Sequence, residues 1–271
     1  MKTFKLVIVL AVSAVLTSCS QVPLTGRSQL SLVNDQALQQ QAVTAYRDFL
    51  RDPKTKVISN SADAQRVKNV GSKIASAINR YMQANGYGDK YNYQYEFNLI
   101  QSKDINAWCM PGGKVAVYTG ILPVTRDDAG LATVMGHEIA HAIAQHAAER
   151  YSQMTAAQLG GGVIGAAAGG ASQGTQQALG QLYGIGGQLA ILSYSRKQES
   201  EADRLGLVFM AMAGYNPDNA VLFWKRMAAA KQGGGAPPEF LSTHPSDATR
   251  IAQIQRNLPE ARQYYKGVRN K

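Results

Sequence analysis

The sequence has little cysteine and little histidine, two of the first and four of the second in 271 residues. One cysteine, Cys19, closes a leader-like N-terminal segment, which leaves Cys109 as the only thiol in the body of the chain. No intramolecular disulfide framework is then possible, and stability must come from packing or from metal. Long apolar runs are also missing. The longest candidate, Leu6 to Leu16, is eleven residues with one Ser, too short for a membrane span, which needs about 20. Charge is thin at 17% of residues, and the net +10 is spread out apart from a modest concentration at Arg262, Lys266, Arg269 and Lys271. Without a basic stripe interleaved with aromatics, nucleic acid is not an expected partner. The chain contains no internal repeat.

What is present begins with Lys2 and Lys5 ahead of the apolar run, the layout of a secretory signal. Leu16-Thr-Ser-Cys19 then matches a lipobox, in which the Cys is acylated and becomes the first mature residue. The expected organisation is a signal peptide at 1–18, a lipid-anchored tether at 19–33 and one domain at 34–271. Loss of residues 1–18 leaves 271 − 18 = 253 residues, enough for one sizeable core. Ser20 follows the Cys instead of Asp, which by resemblance to sorted bacterial lipoproteins favours the periplasmic face of the outer membrane.

Helical periodicity is expected over 34–51 and, with Val67, Val70, Ile74, Ala77, Ile78 and Met82 in phase, over 62–85. Tyr91, Tyr93, Tyr95, Phe97 and Leu99 alternate with polar residues, which predicts a strand. Segments 105–109 and 114–118, joined by Pro111-Gly112-Gly113, predict two more strands in a small antiparallel sheet. Asp127 and Asp128 suit a helix start, and one helix is expected from 129 to 154. Residues 160–187 carry eleven glycines in 28 positions; a loop, a pair of small-residue helices and a lid all fit that composition. Further helices are expected at 196–213, 217–231 and 246–258. The fold class is α+β, mainly helical.

The chemistry is concentrated in Val134-Met-Gly-His-Glu-Ile-Ala-His-Ala142. On a helix, residues i and i+4 project about 40° apart, so His137 and His141 can face one ion, and Glu138, about 100° round from His137, flanks the same cleft. Two imidazoles suit Zn²⁺, and a carboxylate beside them can take a proton from water. Two solvated histidines on a charged face would give the same letters. However, Gly136, Ile139, Ala140, Ala142 and Ile143 make the helix largely buried, and buried imidazoles need partners. A third ligand is required. The metzincin spacing wants Gly at 144 and His at 147, where this chain has Ala144 and Ala147, so that class is excluded; His146 is expected to support the site or lie at the surface. Downstream, Glu199 and Asp203 are again i and i+4, whereas Glu201 points about 200° away from Glu199. That helix can offer Glu199 to the metal and place Asp203 to orient a histidine or assist proton transfer. An acidic helix start that favours the dipole would look alike.

Four blocks carry a resemblance: NAWCMPGGKVAVYTGIL (106–122), VMGHEIAHAIAQHAAER (134–150), YSRKQESEAD (194–203) and STHPSDATRI (242–251). The chain resembles the CAAX-prenyl-protease/HtpX type of zinc metallopeptidase, most closely its soluble periplasmic lipoprotein branch. The resemblance implies a gluzincin-like domain with one Zn²⁺ held by His137, His141 and Glu199, and Glu138, Asp203 and His244 in catalysis. His244 would approach from the C-terminal side, either to stabilise an oxyanion or as a reversible extra ligand, and Arg250 would be the basic residue that follows it. A peptide would lie antiparallel to the 114–118 strand. Implied substrates are misfolded or stalled proteins of the cell envelope, with membrane contact through lipid on Cys19. Two departures matter. Trp108-Cys109-Met110 stands where plainer apolar residues are expected, and the membrane spans and C-terminal helical-repeat domain of longer relatives have no counterpart. Prenyl-protein processing and repeat-domain scaffolding are therefore not expected. A non-proteolytic assembly factor with an occluded zinc site is the alternative.

Overall fold

A computed structural model describes residues 19–167, 194–232, 239–244 and 248–269. The helices start where short polar side chains can cap them. Asn34 opens α1 (Asp35–Arg51), Ser61 opens α2 (Ala62–Ala84) and Asp127 opens α4 (Asp128–Ile143), each accepting a bond from a first-turn amide. Between α2 and α4 lie the strands β4 (Glu96–Ile100), β5 (Ala107–Met110) and β6 (Lys114–Tyr118) and the short helix α3 (Leu122–Thr125). After α4 come α5 (His146–Ala167), α6 (Arg196–Met212), α7 (Asn219–Gln232), α8 (Glu239–Thr243) and α9 (Ala248–Arg269). Among the described residues no helix is long and apolar enough to cross a membrane.

With β3 (Val57–Ile58), the strands form a four-stranded sheet in the order β3-β4-β6-β5. The sheet is mixed, because β6 runs parallel to β4 and antiparallel to β5. The β5–β6 hairpin turns at Pro111-Gly112-Gly113, where Gly112 (φ 81°) and Gly113 (φ 84°) take the left-handed conformation that glycine tolerates best. Successive β5 side chains go to opposite faces. Ala107 and Cys109 join the main core against α2 and α4, while Trp108 and Met110 join a second core under α1. The Tyr46 hydroxyl, from α1, donates to the Val115 carbonyl at 2.6 Å. The 114–118 strand is thus an inner strand with both edges paired, and the edge strand of this block is β5. An incoming peptide can pair only with an edge, so the expected alignment along 114–118 is ruled out.

Three other expectations differ from the structure. The 91–99 strand begins only at Glu96, although burial already alternates from Tyr91; residues 91–95 have the pattern but no strand pairing. Residues 19–33 are not a free tether. Here β1 (Cys19–Gln21) pairs with β2 (Ser28–Leu30), Val22 is buried, and Arg27 clasps Glu149 and Glu201. The helix expected over 129–154 is broken in two at Gln145, whose φ is 54°. Helix α5 carries the first part of the Gly-rich stretch to Ala167, and the lid reading of its remainder falls outside the described residues.

The centre of the fold is α4, buried on every side from Gly130 to Ile143. It crosses α6 with the backbones almost touching. A Cβ built on Gly136 would meet the Gly206 carbonyl oxygen at 2.9 Å, and one built on Gly206 would meet the His137 amide nitrogen at 2.9 Å. Backbone cannot swing aside as a flexible side chain can, so alanine must push the helices apart, an overpacking that costs about 1–3 kcal/mol. Gly206→Ala should therefore lower the unfolding free energy obtained from urea titration by that amount and reduce zinc retention, because the crossing sets the distance from α4 to the carboxylates of α6. A variant as stable as wild type with full metal content would contradict this.

Candidate active site

Helix α4 contributes His137, Glu138 and His141; α6 contributes Glu199 and Asp203; the segment after α8 contributes His244; and α9 contributes Arg250. All seven are no more than 5% exposed. His137 Nε2 lies 3.1 Å from His141 Nε2 and 3.2 Å from His244 Nδ1. The Glu199 carboxylate completes the group, with Oε1 2.8 Å from His244 Nδ1 and 3.3 Å from His141 Nε2, and Oε2 3.5 Å from His137 Nε2. One ligand atom from each of the four residues lies within 4.8 Å of the other three, an arrangement able to hold a metal ion.

The donor set fits zinc. Bonds of about 2.0–2.1 Å in a tetrahedron separate the ligand atoms by about 3.3 Å, close to the spacings found here. Asp203 Oδ1 is 2.9 Å from His137 Nδ1. An ionised carboxylate only accepts, so the proton of a neutral His137 sits on Nδ1 and the lone pair of Nε2 faces His141 and His244. Nitrogen lone pairs that face one another at about 3 Å, as hydrogen-bond partners would, repel unless a proton or cation lies between them. In addition, among the described residues Glu138 Oε1 and Glu199 Oε2 are buried without a hydrogen bond, although His244 Nε2 lies 3.5 Å from the former and Arg250 Nη1 3.1 Å from the latter. Orphaned buried oxygens are rare enough in native proteins to imply an unseen partner.

The remaining charges are arranged around this group. Burial alone would raise the Glu199 carboxyl, but His244, His137 and His141 hold it far below the ordinary carboxylate range. Asp203 is likewise depressed despite burial, chiefly by Arg250, which grips it through Nε and Nη2 at 2.8 Å each. The Arg250 guanidinium lies 3.6 Å above the Trp224 ring and also donates to the His244 carbonyl at 3.2 Å. Burial depresses the pKa of His137 less than Asp203 and Glu199 raise it, whereas burial prevails at His141. Glu138 is pushed up to about 7 by burial, which suits a group that must exchange a proton near neutrality.

The structure therefore brings together all six residues singled out from the sequence. It gives them company that the sequence did not identify, Arg250 as the partner of Asp203, Trp224 beneath it and Tyr194 stacked on His141 at 4.0 Å, and it places His146 against His141 and not at the surface. Glu201 is turned away from Glu199, as helical geometry requires, but it reaches His146. The scarcity of histidine was a usable signal, since all four sit in one cluster. Cys109 is buried and its thiol is pushed well up by burial, so it has no nucleophilic character.

A buried helix that presents His-Glu-x-x-His to a glutamate on a neighbouring helix defines a zinc metallopeptidase site. The model of peptidase family M48 matches residues 62–258, and the chain belongs to that family. It carries the site of a zinc metalloendopeptidase. It is 30% identical over 245 residues to the mitochondrial metalloendopeptidase OMA1 of Schizosaccharomyces pombe, covering 90% of this chain and 68% of that one. It is 31% identical over 215 residues to the Saccharomyces cerevisiae protein of the same name, covering 74% and 57%. It is 26% identical over 209 residues to the beta-barrel assembly-enhancing protease of Escherichia coli, covering 76% and 41%. The chain thus spans about two thirds of the first of these relatives and about half of the others.

The buried Glu138 has a consequence for stability. Its folded pKa, about 7, lies above its ordinary 4.5. Between those values the native state keeps a proton that the unfolded chain has lost, so this group's contribution falls as pH rises from about 4.5 to about 7. Metal-free Glu138→Gln should escape that loss. Urea titrations should find it more stable than metal-free wild type by up to about 3 kcal/mol above pH 7, with the gap closing toward pH 5. A gap that does not change with pH would refute the assignment.

Proposed function

We propose that this chain is an endopeptidase of the bacterial cell envelope, in which His137, His141 and Glu199 hold the zinc and Glu138 is the general base. The observation that carries this reading is the convergence of those ligand atoms beside a buried Glu138 oxygen that makes no hydrogen bond among the described residues. Zinc supplies Lewis acidity for the scissile carbonyl and makes water acidic enough to ionise near neutral pH. Glu138 takes the proton of the attacking water and passes it to the leaving amine, with a carboxyl already poised near 7. Asp203, clamped by Arg250, holds the proton of His137 on Nδ1 and fixes the ring. An extended substrate adds as a strand to the outer edge of β5, where main-chain hydrogen bonds are sequence-tolerant.

The same site is closed as it stands. A catalytic zinc site keeps one position free, yet His244 Nδ1 sits among the ligand atoms. The cavities that touch His137 and His141 are each about 10 Å³, too small for a peptide. Phe240, fully buried, donates its amide to the Ile105 carbonyl at 3.1 Å, which docks the His244 segment at the start of the β5 edge. In this reading His244 is the reversible extra ligand, and cleavage begins when it withdraws and frees its ring for the developing oxyanion. The closed geometry also favours the alternative, a non-proteolytic assembly factor whose zinc site is permanently occluded.

The lipobox at Cys19 supports a lipid-anchored, periplasmic placement at the outer membrane, with 1–18 as signal peptide. That compartment and the name of the Escherichia coli relative point to misfolded or stalled envelope proteins as substrates. The S. pombe and S. cerevisiae relatives are mitochondrial by name, so compartment rests on the N-terminal sequence. Cys19→Ala should move the protein from the membrane to the soluble fraction, and retention by the membrane would sink the anchor. Glu138→Gln should keep one zinc per chain and cleave an unfolded envelope client about 10²–10⁴-fold more slowly. Undiminished degradation would rule out the base; an unchanged envelope phenotype without cleavage would favour the assembly factor.

A further inference from the structure

His146 has no part in the reaction above, yet it is fully buried and pressed against a metal-facing residue. His141 Nδ1 and His146 Nδ1 are 2.8 Å apart, and His146 Nε2 is 3.0 Å from Glu201 Oε2. A nitrogen–nitrogen contact this short needs one ring to donate and the other to accept. Glu201, as a carboxylate, only accepts, so a neutral His146 carries its proton on Nε2 and presents a bare Nδ1. That atom accepts from His141 Nδ1–H. The lone pair of His141 then remains on Nε2, the atom that faces Glu199 and His137.

The chain of contacts does not stop at Glu201. Thr25 Oγ1 donates to its Oε1 at 2.5 Å and Arg27 Nε to its Oε2 at 2.6 Å. The other arm of Arg27 forks onto Glu149 at 2.7 and 2.9 Å, and Gln198 donates to the same carboxylate at 2.8 Å. Thr25 and Arg27 stand between β1 and β2, so the N-terminal hairpin is two side chains away from a metal-facing imidazole. The break in the helix is what makes the arrangement possible. On a continuous helix His146 would project about 140° from His141; Gln145, with φ 54°, turns the chain so that the two rings meet. A left-handed glutamine costs about 1–2 kcal/mol, a strain that a space-filling histidine would not require.

We propose that His146, Glu201 and Arg27 are positioning residues for the metal site, a relay that selects the His141 tautomer with a free Nε2 and ties it to the N-terminal hairpin. This rests on the reading of His141 as a zinc ligand. His137 receives the same service directly from Asp203, whereas His141 receives it through a second imidazole.

The experiment measures zinc dissociation constants by chelator competition on full-length wild type, His146→Ala, His146→Asn and Arg27→Gln, and imidazole ¹⁵N NMR on the zinc-loaded wild type. The Ala variant should bind zinc about 10–100-fold more weakly, the range for loss of a ligand's supporting partner. The Asn variant, whose carboxamide oxygen can accept from His141 Nδ1–H, should recover most of that loss, and Arg27→Gln should show a smaller one. The spectrum should show the proton of His146 on Nε2 and that of His141 on Nδ1. Wild-type affinity in His146→Ala, an Asn variant as poor as Ala, or an Nδ1-protonated His146 would each overturn the relay; wild-type affinity in Arg27→Gln would overturn the hairpin's part in it. The spectrum decides the matter even where a variant does not fold. Wild-type protein that takes up no zinc would instead overturn the underlying reading of the site, and the relay with it.

Discussion

Helices α4 and α6 meet backbone to backbone at Gly136 and Gly206, and that crossing sets the scale of the whole site. At this distance the first turn of α6 delivers Glu199 to the Nε2 atoms of α4, and one turn later it delivers Asp203 to the Nδ1 of His137. A side chain at either glycine would move those carboxylates out of reach. The two roles of α6, to offer a ligand and to fix a ligand's tautomer, therefore depend on a packing contact that contains no polar side chain.

Burying this many ionisable groups is costly unless each charge is answered. The protein answers most of them in pairs: Asp203 with Arg250, Glu201 with Arg27, and Arg250 in turn with the Trp224 face. What is left over is localised, namely inward-facing imidazole nitrogens, the Glu199 carboxylate and a Glu138 oxygen without a hydrogen bond among the described residues. A divalent cation satisfies that remainder, which is why the donor chemistry argues for metal more strongly than the motif does. His244 adds a fourth ligand atom and closes the centre. The position that would complete a tetrahedron for hydrolysis is filled by the protein itself, on a segment docked beside the start of β5.

Much of the site was legible in the chain because helical geometry is simple. Spacings of four put His137 with His141 and Glu199 with Asp203, and about 100° per residue set Glu201 on another face; that Glu199 is the one turned to the histidines rested also on the family resemblance. The fold class and most helices followed from periodicity. What was not legible depended on non-local contacts. The parallel pairing of β4 with β6, which moved the open edge to β5, is invisible to a pattern that reports only alternation. The break at Gln145 has no Gly or Pro to announce it, and it is held from outside by Asp35, which accepts from the Gln145 side-chain amide at 2.9 Å. The hairpin at 19–30 reads as a polar linker because its anchors, chiefly Arg27 and Thr25, meet glutamates more than a hundred residues away. Arg250 and His146 could be seen as residues but not as partners.

The central claim is that His137, His141, Glu199 and His244 meet on a single zinc ion. Anomalous diffraction from crystals of the full chain, recorded on either side of the zinc absorption edge, tests it most directly. The account predicts one strong peak bounded by His137 Nε2, His141 Nε2, His244 Nδ1 and the Glu199 carboxylate. A peak elsewhere, or a zinc-saturated protein with no peak between those atoms, would contradict it.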